Sequence, residues 1–389
     1  MTKTTPHPLA SLPSVLSPEE IRRYGRHLSM PEIGPEGQAR LKASAVLIVG
    51  AGGLGSPAAL YLAAAGVGRI GLVDFDTVEV TNLQRQILHT TPSVGTPKLT
   101  SAVDRLKVLN PHIEVRTHAV RLDRGNALDV LRDYDVIIDA TDNFPTRYLI
   151  NDACTMLGKA DVYGSVFRFE GQVSVFFAGK GPCYRCLHPE PPPKHLAPDC
   201  ADAGVLGVLP GIIGSMQAAE AIKLLLNIGT PLIGTLLHVN ALRWEILPLF
   251  VAKNPECRLC GREPSIHELI DFEQWCAGSG RVEEETDEIT VQELAGKLRS
   301  GTSVQLIDVR EPFESAIATI GGTLVPLSVL PERASRFDPA KETIVYCHTG
   351  RRSAHAVAYL RKLGFSRAKN LIGGIEAWSL EIDRSVPRY

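Results

Sequence analysis

Residues 45–68 contain no charged side chain, and the run Gly50-Ala51-Gly52-Gly53-Leu54-Gly55 cuts them in two. An unbroken apolar stretch of that length would suit a membrane-spanning helix. The glycines and Pro57 interrupt it, so it reads instead as a buried strand (Val46–Val49), a tight turn and a buried helix (Ser56–Ala65). A strand, a glycine turn and a helix in that order open a doubly wound, Rossmann-like α/β domain. The pattern continues with a strand at Arg69–Val73 ending in Asp74, a helix at Thr96–Leu109 and a strand-like segment at His112–Val120. An apolar strand at Val136–Ala140 runs into Asp142-Asn143, followed by a β-rich stretch, Gly171–Phe177, and a long helix, Gly211–Leu226. In such sheets ligands sit at the carboxyl ends of the strands.

At 389 residues the chain is too long for one typical core. Cys260-Gly261 closes the first unit, giving a domain over residues 1–261. Residues 262–287 carry Gly278-Ser279-Gly280 and Glu283-Glu284-Glu285, a linker-like composition, although Ile266–Trp275 could dock locally. A second α/β domain is expected over 288–389, with strands at Val304–Val309 and Thr343–Tyr346 and a helix at Ser353–Leu363. A formal net charge of −2 argues against a nucleic-acid binder that works through bulk electrostatics. Residues 1–20 lack an apolar signal-peptide core, and eight cysteines are too few for a disulfide framework. A cytoplasmic protein without a membrane segment is therefore expected.

Gly50, Gly52 and Gly55 match GxGxxG, the turn that lets backbone amides and a helix N-terminus approach phosphate. Asp74, 19 residues beyond Gly55, can hold ribose hydroxyls. Alone, this motif suits a nicotinamide or flavin oxidoreductase equally well. The run Thr81-Asn82-Leu83-Gln84-Arg85-Gln86, followed by Lys98, adds cations that a triphosphate needs more than a dinucleotide does. Asp142 can carry Mg²⁺. Each charge by itself reads as a solvated surface residue; the set, at successive strand ends, favours a triphosphate enzyme over a regulatory nucleotide-binding module.

Two CxxC pairs, Cys183/Cys186 and Cys257/Cys260, lie 70 residues apart. One pair would leave a redox dithiol open; two offer the four thiolates of a closed structural Zn²⁺ site. Cys200 is ordinarily a packing cysteine. Cys347 follows an apolar strand and opens the loop His348-Thr349-Gly350-Arg351-Arg352 ahead of a helix. Loop amides, the helix dipole and the Arg351 and Arg352 guanidiniums would favour a thiolate or persulfide there. A cysteine phosphatase is the rival, but its loop spaces Cys and Arg by five residues. Here that place is Ser353, and the shorter loop suits sulfur.

The stretch GAGGLGSPAALYLAAAGVGRIGLVDFDTVEVTNLQRQ, then GTPKLTSA, then DATDN, resembles the ubiquitin-activating superfamily, and within it the MoeB/ThiF adenylyltransferases, over about residues 18–261. The resemblance implies that Gly52, Gly53, Asp74, Asp76, Thr81, Asn82, Arg85, Lys98, Asp142 and Asn143 hold ATP and Mg²⁺. It also implies that Arg26 reaches across a homodimer interface, that the four CxxC thiolates bind structural zinc, and that Cys200 lies on a loop over the adenylate. Asp308-Val309-Arg310, the Cys347 loop and Gly373-Gly374-Ile375-Glu376-Ala377-Trp378 make residues 289–389 resemble a rhodanese domain. The family's usual His-Ile-Pro-Gly segment is Thr319-Ile320-Gly321-Gly322 here.

Together these resemble adenylyltransferase/sulfurtransferase fusions. The implied partner is a ubiquitin-like sulfur-carrier protein ending in Gly-Gly. Its adenylated C-terminus would meet a Cys347 persulfide charged from thiosulfate or a cysteine desulfurase. Cys200 would resolve the acyl-disulfide to leave a thiocarboxylate. Molybdopterin, thiamin, cysteine and tRNA-thiolation pathways all fit that implication. A flexible linker of roughly 26 residues spans about 30 Å, enough for the persulfide to visit the adenylate.

Overall fold

The structure, a computed structural model, describes residues 15–191, 204–270 and 288–389. The chain divides into two compact units, Met1–Gly278 and Ser279–Tyr389.

The first unit is built, among the described residues, on an eight-stranded sheet of order β3-β2-β1-β4-β5-β6-β7-β8. Its strands are β1 (Ala45–Val49), β2 (Arg69–Val73), β3 (Glu114–His118), β4 (Val136–Asp139), β5 (Ala160–Phe167), β6 (Glu170–Phe176), β7 (Thr235–Asn240) and β8 (Glu245–Phe250). The first five pair in parallel, and β5 through β8 continue antiparallel. The order reverses between β1 and β4, which makes the crevice beyond their carboxyl ends the topological switch point.

The apolar run of β1 follows from burial on both faces. Val46 and Ile48 point into a core shared with the helices Gly55–Ala65, Lys98–Leu109 and Val208–Leu226. Ala45, Leu47 and Val49 point into a second core with Ala127–Arg132 and Phe144–Leu157. Leu47 and Ile48 are fully buried, each contributing about 2 kcal/mol of apolar transfer free energy. The uncharged stretch at 45–68 is thus a central strand and its following helix. The 19-residue helix Val208–Leu226 also has the length and hydropathy of a membrane span. It packs on the sheet through Leu209, Ile213, Ala218, Ala221 and Leu225, and Gln217 Nε2 donates to the carbonyls of Asp139 (2.7 Å) and Val162 (2.9 Å).

The boundary expected at Gly261 falls short of the observed one. Ile266 packs with Cys183, Cys257 and Leu259, and Leu269 joins the core beneath β1 and β4. The apolar residues spaced through 266–270 thus bind this segment to the first unit, the local docking that Ile266–Trp275 offered within a linker-like composition.

The second unit has a parallel sheet of order β11-β10-β12-β13-β9. These strands are β9 (Glu288–Ile289), β10 (Gln305–Asp308), β11 (Thr323–Leu324), β12 (Thr343–Tyr346) and β13 (Ala368–Leu371). The sequence order reverses between β10 and β12, so Cys347, immediately after β12, lies at this sheet's own switch point.

Candidate functional site

Gly50 has φ +101°, and a Cβ there would lie 2.7 Å from the Ala140 carbonyl oxygen. A Cβ on Gly55 would lie 1.9 Å from the Gly50 carbonyl oxygen. The turn therefore folds back on itself between β1 and β4, and these two positions need glycine for geometric reasons. Asp74 closes it from β2, its Oδ2 accepting from the Ala51 amide at 2.9 Å. His89, which the sequence reading did not single out, holds it from below. Its Nε2 lies 3.0 Å from the Ala51 carbonyl oxygen and its Nδ1 3.0 Å from Ser101 Oγ. Burial keeps His89 below the ordinary imidazole range, so it is neutral at physiological pH.

Beside this turn lies a cavity of about 430 Å³. Its lining includes Gly52, Gly53, Asp74, Asp76, Arg85, Lys98, Asp142 and Asn143, so eight of the residues assigned to the nucleotide converge there. Lys98 is buried, its ammonium 2.8 Å from Asp76 Oδ2 and 4.0 Å from Asp74 Oδ2. Thr81, Asn82 and Arg26 are not among the lining residues. Thr81 and Asn82 shape the short turn before Arg85: Thr81 O accepts from Arg85 Nη1 (3.1 Å), and Asn82 Oδ1 accepts from the Glu79 amide (3.1 Å). Arg26 is exposed on the short helix Gly25–Leu28.

Asn143 also has a structural task. It caps the helix Phe144–Leu157, Oδ1 accepting from the Thr146 amide at 3.0 Å. Sequence reasoning missed Gln86 and Arg147, both lining the cavity. Gln86 was read only as part of its polar run, and its buried Oε1 has no partner among the described residues. Arg147 is buried, with Nε 3.4 Å from Asp139 Oδ2 and Nη2 donating to Thr141 O at 3.0 Å, which braces the turn carrying Asp142. The donor set fits a nucleoside triphosphate: glycine backbone and a helix N-terminus for phosphate, two cations, and Asp142 for a divalent ion.

The four CxxC sulfurs converge as well, all within 4.8 Å of one another. Cys183 lies 3.9 Å from Cys186 and 3.6 Å from Cys257, and Cys186 lies 3.4 Å from Cys260. Tetrahedral Zn–S bonds of about 2.3 Å require S···S edges of about 3.8 Å, so the cluster fits Zn²⁺. The first knuckle is fastened to the helix Phe144–Leu157. Asn151 Oδ1 accepts from the Tyr184 amide (2.7 Å), and Arg185 forks onto Asp152 at 2.8 and 2.7 Å.

In the second unit Cys347 is 1 % exposed. Its Sγ accepts from the Gly350 amide (3.2 Å) and the Ser353 hydroxyl (3.3 Å), the start of a cradle for negative sulfur. Arg351 opens the helix Arg351–Lys362. Arg352, expected to serve an anion on Cys347, forks onto Glu314 at 2.7 and 2.6 Å. Glu314 is 38 residues away in the chain, too far for any local pattern to reveal the pairing. Burial alone would raise the Glu314 carboxyl, but the Arg352 hydrogen bonds, the Glu311 amide and the Arg352 and Arg310 charges together outweigh it and hold it below its usual value. Cys200 lies outside the described residues.

The ThiF family model matches residues 24–259, and the rhodanese-like domain model matches residues 290–381. Over 392 residues the chain is 46% identical to a probable adenylyltransferase/sulfurtransferase MoeZ of Mycobacterium tuberculosis, covering 98% of each. It is 54% identical to a sulfur carrier protein adenylyltransferase of Thermus thermophilus, over 66% of this chain and 97% of that one. It is 42% identical to the adenylyltransferase and sulfurtransferase MOCS3-1 of Zea mays, over 98% of this chain and 85% of that one. The crystal structure of Escherichia coli MccB with MccA-N7isoASN shares the fold, with a TM-score of 0.55 and 23% identity over 61% of this chain and 75% of that one.

Proposed function

The chain belongs to the ThiF family and carries a rhodanese-like domain after it, and from that premise we propose that it is an ATP-dependent adenylyltransferase and sulfurtransferase acting on a ubiquitin-like sulfur-carrier protein. The observation that carries this reading is the cavity at the β1/β4 switch point, where the glycine turn meets Lys98, Arg85 and Asp142. ATP lies with its phosphates along the glycine turn and its ribose at Asp74. The carrier's C-terminal carboxylate attacks the α-phosphorus. A P–O bond forms, the bond to the β-phosphate oxygen breaks, and pyrophosphate leaves with acyl-AMP behind. Lys98 and Arg85 neutralise the charge that builds on the phosphates. Asp142 would hold Mg²⁺, which supplies further neutralisation when bound. The relatives named as adenylyltransferases and sulfurtransferases support the reading.

In the second half, the Cys347 thiolate takes the outer sulfur of thiosulfate, releasing sulfite, or the sulfane sulfur of a cysteine desulfurase persulfide. The persulfide's terminal sulfur attacks the carrier acyl-adenylate and AMP leaves, giving an acyl-disulfide. A thiol, for which Cys200 is the candidate, attacks the Cys347 sulfur. The carrier thiocarboxylate departs, and the new disulfide is reduced by a small thiol. The carrier belongs to one of the molybdopterin, thiamin, cysteine or tRNA-thiolation branches, and the likeness to relatives named MoeZ and MOCS3-1 supports the molybdopterin branch.

The test is carrier-dependent exchange of radiolabelled pyrophosphate into ATP. Exchange should occur with a Gly-Gly-ending carrier, and Lys98→Ala should lower it by about a hundredfold or more, the usual scale for losing a transition-state charge partner. Absence of exchange with every carrier tried would refute the adenylation half. Arg26 is exposed and away from its own chain's cavity, which supports action on a second copy's site in a homodimer. Arg26→Ala and Lys98→Ala chains, each inactive, should regain about a quarter of the exchange activity after mixing and reassociation, because half the dimers are mixed and each has one complete site. No recovery would place Arg26 outside the catalytic set.

A further inference from the structure

Two side chains of the Cys347 loop are held from outside it, and both hold-points meet at one residue. Arg352, at the loop's far end, is gripped by Glu314. His348, next to the nucleophile, stacks on the Tyr389 ring with centroids 4.6 Å apart and planes 9° from parallel. The Tyr389 hydroxyl donates to Glu314 Oε1 at 3.3 Å and accepts from Arg310 Nη1 at 2.7 Å. Arg388 anchors the same segment, Nε donating to Glu376 Oε1 at 2.7 Å, while the other Glu376 oxygen lies 3.6 Å from His348 Nε2. Residues 388–389 thus bracket the loop from two sides.

We propose that Tyr389 is a positioning residue of the sulfurtransferase site: its ring sets His348 and its hydroxyl sets Glu314, so that the loop between them presents amides to the Cys347 sulfur. This rests on the sulfurtransferase reading above.

The geometry around Cys347 is demanding. Gly350 has φ +93°, and the sulfur's two donors, the Gly350 amide and the Ser353 hydroxyl, sit on either side of the loop's exit into the helix. The loop's backbone is fixed on one side, where the Ile375 amide donates to Cys347 O (2.9 Å) and the Glu376 amide to His348 O (3.1 Å). His348 and Arg352 add side-chain holds to that backbone anchoring. Burial pushes the Tyr389 hydroxyl up to about 12, so it keeps its proton and can donate to Glu314 throughout the working range.

Arg310 does not depend on Tyr389 for its burial. It forks onto Asp308 at 2.9 and 2.6 Å and donates to Ala318 O at 2.8 Å. Removing Tyr389 should therefore loosen the loop while the core of the unit stays folded.

The experiment uses the full chain, with thiosulfate and cyanide as substrates and thermal melting as the control. Tyr389→Ala should lower kcat about tenfold, the scale of losing one aromatic contact and one charge-assisted hydrogen bond. KM for thiosulfate and the melting midpoint should hold. Tyr389→Phe keeps the stack on His348 and loses only the hydroxyl, so it should recover part of the kcat. Alkylation of Cys347 by iodoacetamide, followed on its tryptic peptide, should change with Tyr389→Ala in the same order as kcat. An unchanged kcat in Tyr389→Ala overturns the proposal. So does a parallel fall of kcat and melting midpoint that Tyr389→Phe does not relieve. If the native chain itself transfers no sulfur, the sulfurtransferase reading fails and the role of Tyr389 falls with it.

Discussion

Replacing Cys347 with alanine is expected to abolish thiosulfate:cyanide sulfurtransfer, by more than about a thousandfold as for loss of a covalent nucleophile, while leaving carrier-dependent pyrophosphate exchange at its native rate. The two effects should separate because Cys347 and the groups of the nucleotide cavity belong to different compact units, each at the switch point of its own sheet. In the presence of ATP and carrier, the Cys347→Ala protein should accumulate acyl-adenylate and form no thiocarboxylate, read as the intact mass of the carrier. If exchange fell together with sulfurtransfer, the two chemistries would share more machinery than the separate sites provide. Retained sulfurtransfer would move the persulfide to another thiol.

The second large effect is expected at the four-cysteine cluster. Native protein should contain about one zinc per chain, and Cys257→Ala should lose it. Removing one thiolate leaves three sulfurs packed around Leu259 and Ile266 without their common partner. Structural zinc sites hold roughly 10–16 kcal/mol of binding free energy in small peptides, comparable to the whole stability of a domain. The first unit should therefore unfold at a markedly lower temperature, and pyrophosphate exchange should be lost with it, whereas sulfurtransfer by the second unit should persist. Protein purified with well under one zinc per chain, yet melting and exchanging normally, would rule the clamp out.

How much of this was legible beforehand depended on how local each signal was. The strand–glycine–helix opening was legible because burial on both faces of β1 removes every charge from 45–68 and Gly50 and Gly55 have no steric substitute. The helix Phe144–Leu157 was overlooked although Asn143, Pro145 and Gly158 mark its ends. The first unit's last strand, β8, was not read because it is exposed along its whole length, so neither alternation nor a buried run marks it. At the sites, residues bound to a motif were found from the motif. Those that act across the fold, His89 under the glycine turn and Glu314 and Tyr389 around the Cys347 loop, were not. Their partners lie 12 to 79 residues away in the chain, and no periodicity carries that information. Arg352 shows the same limit from the other side: its identity was evident, its pairing was not.

The described cysteines divide into three environments. Four are gathered in one cluster, Cys154 is buried with its thiol raised by burial, and Cys347 accepts hydrogen bonds from a loop amide and a helix hydroxyl. An enzyme that handles sulfane sulfur is exposed to its own cargo, since any accessible thiolate can intercept a persulfide. Four thiolates gathered on one zinc ion, as the cluster's geometry fits, and a fifth sealed in the core would be kept from that sulfur traffic as well as serving the fold. Metal-starved protein should then misroute sulfur, with polysulfide and mixed-disulfide adducts appearing on Cys183, Cys186, Cys257 and Cys260 before activity at Cys347 declines.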